Sequence, residues 1–118
     1  MTAIIDFQRL REALAHAGDT YTLADIEEGV ASGRFQEWSA GRSAIITELR
    51  ETPNVRFIHF FLAAGDLREL RPLAELALQW GREQGCTRAS FIGRFGWLRS
   101  FVRDLGFTEQ GTYMEASL

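Results

Sequence analysis

Residues 55–64, VRFIHFFLAA, constrain this chain most. The run is nearly continuously apolar, as expected of a strand covered on both faces. Such a strand belongs at the centre of a sheet. TPN at 52–54 turns the chain into this run, and Gly65 turns it out again into LRELRPLAELALQW. There Leu70, Leu73, Ala77 and Trp80 recur at helical spacing as far as about Gln84, with Gly85 as the stop. Pro72 cannot lie deep inside that helix, so either the first turn begins near Leu70 or residues 66–70 form a separate short turn.

The flanking segments agree with a sheet centred on 55–64. Phe7, Leu10 and Leu14 predict an amphipathic helix over 6–16, with His16 near its end favouring the helix dipole. Thr22 and Asp25 form a capping box for a second helix, whose stripe is Leu23, Ile26 and Val30 and whose C-terminal glycine is Gly33. RFQEWSA and RSAIITELR, separated around Gly41, read as an antiparallel hairpin. TRASFIG follows a helical crossover and is predicted to run parallel to the central strand. WLRSFVRDLGF reads as a further helix, with apolar residues Trp97, Phe101, Val102 and Leu105, a left-handed cap at Gly106 and a hydrophobic contact at Phe107. GTYMEASL is predicted to close the sheet as a last strand. One α+β domain over 1–118, with a mixed, mostly antiparallel sheet and about four helices, accounts for the whole length.

Composition narrows the function classes. No apolar run approaches 18 residues and no charged-then-apolar leader is present, which predicts an intracellular, cytoplasmic protein without a membrane partner. Cys86 is the only cysteine, so neither an internal disulfide nor a thiolate-cluster metal site is expected. The net charge is −3, and all thirteen basic residues are arginine. Residues 19–37 carry five acids against Arg34, whereas 84–103 carry Arg88, Arg94, Arg99 and Arg103 with no acid. A net-negative chain with one basic segment lacks the broad footprint that nucleic-acid binding needs.

The element order, the long central strand ending at a glycine turn, and above all SFIGRFGWLRSFVRDLGF resemble the GCN5-related N-acetyltransferase (GNAT) fold. More narrowly, the length and the IGRFGW to LGF segment resemble the short acetyltransferase-like proteins encoded among tailed-phage morphogenesis genes. The resemblance implies acetyl-CoA as cofactor, its pyrophosphate facing the backbone N–H groups of the turn after the central strand. Carried onto this chain, the contacts would be Leu62, Ala64 and Gly65, with Arg68, Arg71 and Arg94. The family writes that turn as Arg or Gln, two residues, Gly, one residue, then Gly or Ala. AAGDLRELRPL keeps Gly65 alone. Asp66 at the N-cap with Glu69 three residues later reads as an acidic capping box, whose Asp66 carboxylate would take the N–H donors that a pyrophosphate needs. The other reading is a phosphate site in which Arg68 and Arg71 replace the glycines.

The family's proton donor, a tyrosine four residues before the glycine of Gly-Phe, is Val102 here, and Tyr113 is the available substitute. The candidate bases are His59 on the central strand and Glu48 on the strand before it. A lone histidine among Phe57 and Phe61 also reads as a buried, hydrogen-bonded core residue. Trp97, Arg99 and Arg103 read either as a solvated helix face, as a docking surface for a protein partner, or as a contact for the CoA phosphate. The sequence therefore predicts a GNAT-fold protein with a degenerate acetyl-CoA site and impaired or absent transferase activity, an accessory or assembly protein of the phage or prophage type. The alternative is an active acyl-CoA-dependent N-acyltransferase acting on an amine.

Overall fold

In the computed structural model, residues 20–92 and 101–118 are described. The helix predicted over 6–16 with His16, and Arg94, Phe95, Trp97 and Arg99, lie outside the described residues. The order is α1 (Leu23–Ala31), β1 (Phe35–Ala40), β2 (Ser43–Glu51), β3 (Arg56–Ala64), α2 (Leu67–Glu83) and β4 (Arg88–Phe91). The strands lie in the order β1-β2-β3-β4. The first three are antiparallel and β4 runs parallel to β3, as the crossover through α2 requires.

β3 is central and covered on both faces. On one face Leu62 joins Ile46, Phe35 and Ile26 of α1, with Tyr21 and Phe61 packed edge to face at 4.7 Å. On the other, Ile45 packs with Leu70, Leu73 and Ala74 of α2, beside Trp38, Phe60 and Ala63. Two neighbouring residues, Phe61 and Leu62, point into the same cluster because the ladder slips between them: Ile46 pairs Leu62 but Thr47 pairs Phe60, leaving Phe61 as the extra residue of a bulge. The bulge turns the last residues of β3 relative to its first half, just before the strand runs out into Gly65.

α1 begins as its sequence dictates. The Thr22 N–H donates to Asp25 Oδ2 at 2.8 Å and the Asp25 N–H donates to Thr22 Oγ1 at 3.2 Å, a reciprocal capping box. These contacts hold the Asp25 carboxyl below its usual range, the hydrogen bond with the Thr22 backbone foremost.

Three expectations are corrected. α2 starts at Leu67 and continues through Pro72, so the proline lies in its second turn rather than at its first position or beyond a separate turn. Pro72 removes one hydrogen bond at a cost of about 3 kcal/mol, while burial of Leu70 and Leu73 contributes roughly 1.5–3 kcal/mol each, and packing outweighs the local penalty. Of the helix expected over WLRSFVRDLGF, residues 97–100 lie outside the described residues, and the described end, 101–106, forms turns. They nevertheless end as predicted: Gly106, at φ +94°, donates to the Arg103 carbonyl at 3.0 Å and Phe107 donates to the Val102 carbonyl at 3.1 Å. Phe107 then packs against Phe91 at 5.0 Å and Phe60 at 5.9 Å. Lastly, residues 111–118 form no strand, since none of them enters a ladder with the sheet. The described residues contain two helices, against the four or so expected of the whole chain.

Candidate functional site at the end of the central strand

The junction between β3 and α2 is built around a residue from another strand. Gly65 adopts φ +129°, a conformation that L side chains rarely reach, and a Cβ there would overlap Ser43 at the start of β2. Ser43 is fully buried. Its Oγ accepts from the Asp66 N–H at 2.9 Å and donates to Glu69 Oε1 at 2.8 Å. The Glu69 carboxylate consequently lies between the first turn of α2 and the β1–β2 turn, where a Cβ on Gly41 would meet it. The expected acidic capping box is thereby corrected: Asp66 is the N-cap residue but makes no side-chain cap hydrogen bond. Glu69, drawn off to Ser43, is the carboxylate that the junction positions.

Beside this junction β3 runs on past its described pairing with β4. β4 pairs with β3 from Phe57 to Phe60, whereas β3 continues to Ala64. Further down, one cross-strand row contains Phe35, Glu48, His59 and Ser90. His59 is only 5 % exposed, and its Nδ1 shares a hydrogen bond of 2.9 Å with Ser90 Oγ. Burial, reinforced by the nearby Arg50 and opposed by Glu48, lowers its pKa to about 4. Glu48 accepts from Arg50 Nε at 2.6 Å.

This architecture recurs in solved structures. The chain matches a tetramutant of the Bacillus halodurans protein BH1408 with TM-score 0.68 at 14% identity, over 95% of this chain and 88% of that one. It matches a Trypanosoma brucei acetyltransferase with TM-score 0.63 at 16% identity, over 94% of each chain. A probable acetyltransferase aligns with TM-score 0.67 at 11% identity, over 92% of this chain and 85% of that one. The fold is acetyltransferase-like. No protein-family model matches the sequence, and no curated protein matches it significantly.

In an acetyltransferase-like fold the turn after the central strand faces the cofactor pyrophosphate, and the residues present here do not fit that group. The space beside Gly65, which close approach of a phosphate requires, is filled by Ser43. The Asp66 N–H is taken by Ser43 Oγ, and the Glu69 carboxylate adds negative charge where an anion would come. Arg71 pairs with Glu75 at 3.3 Å and Asp104 at 3.2 Å, which ties α2 to the C-terminal turns. Arg68 is exposed in the first turn of α2, and Leu62 is a core residue of the α1 face. Ala64 ends β3, half-buried.

The candidate acid and bases do not converge. Val102 is buried and aliphatic, so the position of the family's tyrosine has no proton to give. Tyr113 is 63 % exposed and donates to Glu115 Oε1 at 3.3 Å. At neutral pH, His59 is an uncharged, buried hydrogen-bonding residue, and Glu48 is engaged with Arg50. Arg103 is exposed in the C-terminal turns. Among the described residues no group of three or more His, Cys, Asp or Glu could hold a metal ion. Sequence reading missed Ser43 and Ser90. Ser90 could have been found from the predicted parallel pairing, because a serine on the neighbouring strand is a natural partner for a buried histidine. Ser43 carried no local signal, since its partner Glu69 lies 26 positions away.

Proposed function

We propose that this chain keeps an acetyltransferase-like fold with a degenerate acetyl-CoA site, has impaired or absent transferase activity, and serves as an accessory or assembly protein of the phage or prophage type that acts through a protein partner. One observation carries the loss of the cofactor site: Glu69, held by Ser43, brings a carboxylate to the helix end that would meet the pyrophosphate. The resemblance of IGRFGW and LGF to short phage acetyltransferase-like proteins supports the assembly role. The test is thermal shift and calorimetric titration with acetyl-CoA and CoA. The expected result is no stabilisation at millimolar ligand. Occupancy at one hundred times Kd would add about 2.7 kcal/mol, so micromolar binding would be unmistakable and would overturn the reading.

A second reading, an active acyl-CoA-dependent N-acyltransferase, draws on a different observation. Among the described residues the β3 edge from Phe61 to Ala64 extends beyond the pairing with β4, and an open edge can receive an extended ligand through main-chain hydrogen bonds. This reading expects binding that weakens on Arg68→Ala and strengthens on Glu69→Gln, because the first removes a cation and the second the competing charge.

A further inference from the structure

We draw no further inference here: the strongest candidate, the half-buried Glu37 carboxylate on the α1 face of β1, leaves its Oε2 enclosed without a hydrogen-bond partner among the described residues, but nothing in the structure shows what covers it.

Discussion

At the scale of single residues, Ser43 matters more than any side chain singled out from the sequence. It closes a two-bond relay from the Asp66 N–H to the Glu69 carboxylate and backs onto Gly65. Ser43→Ala would leave a part-buried N–H and a carboxylate without that partner, so we expect a loss of about 1 kcal/mol in urea denaturation. A change below about 0.5 kcal/mol would show that the relay is incidental, since surface substitutions fall in that range. Gly65→Ala should cost more, because the new Cβ meets Ser43 and the backbone is left-handed. None of this was legible locally. Asp66 and Glu69 spaced three apart satisfy the rule for a capping box, and only tertiary contact with β2 reveals that Glu69 has a different partner.

At the scale of elements, local signals succeeded where their chemistry stayed within one turn. Thr22 with Asp25 and Gly106 with Phe107 each satisfy backbone groups a few residues away, so the caps could be read directly. They failed where the outcome depended on a neighbour. GTYMEASL has strand composition but no ladder, and Pro72 is carried inside α2 by the apolar stripe on either side of it. That balance makes a prediction: Pro72→Ala should stabilise the protein by about 1–2 kcal/mol, the recovered helix bond being partly offset by a more flexible unfolded chain. The check is the shift in thermal midpoint. A lower midpoint would mean that the proline ring itself packs and that the cost assigned to it is wrong.

At the scale of the whole molecule, the fold was legible because one segment could sit only at the sheet centre and everything else had to cover it. Residues 56–64 became β3 with a layer on each face, and the crossover through α2 set β4 parallel. The site was less legible, since it depends on which side chains from distant strands meet there. His59 connects the two levels, because its buried place in β3 links global stability to pH. Its native pKa of about 4 lies below the ordinary value of 6.5, so below that value the unfolded chain binds the proton first. Its penalty is absent above about pH 7, grows as pH falls through the unfolded pKa, and levels off once pH passes the native value. The full effect is on the order of 3 kcal/mol. Glu37, whose pKa burial raises, acts in the opposite sense, so the His59 contribution must be isolated by difference. His59→Gln can still hydrogen-bond to Ser90 but does not titrate. We expect the difference in unfolding free energy between the two proteins to move in favour of the glutamine variant from pH 7 to pH 4. A difference that stays flat across that window would mean that His59 is not desolvated in the native protein.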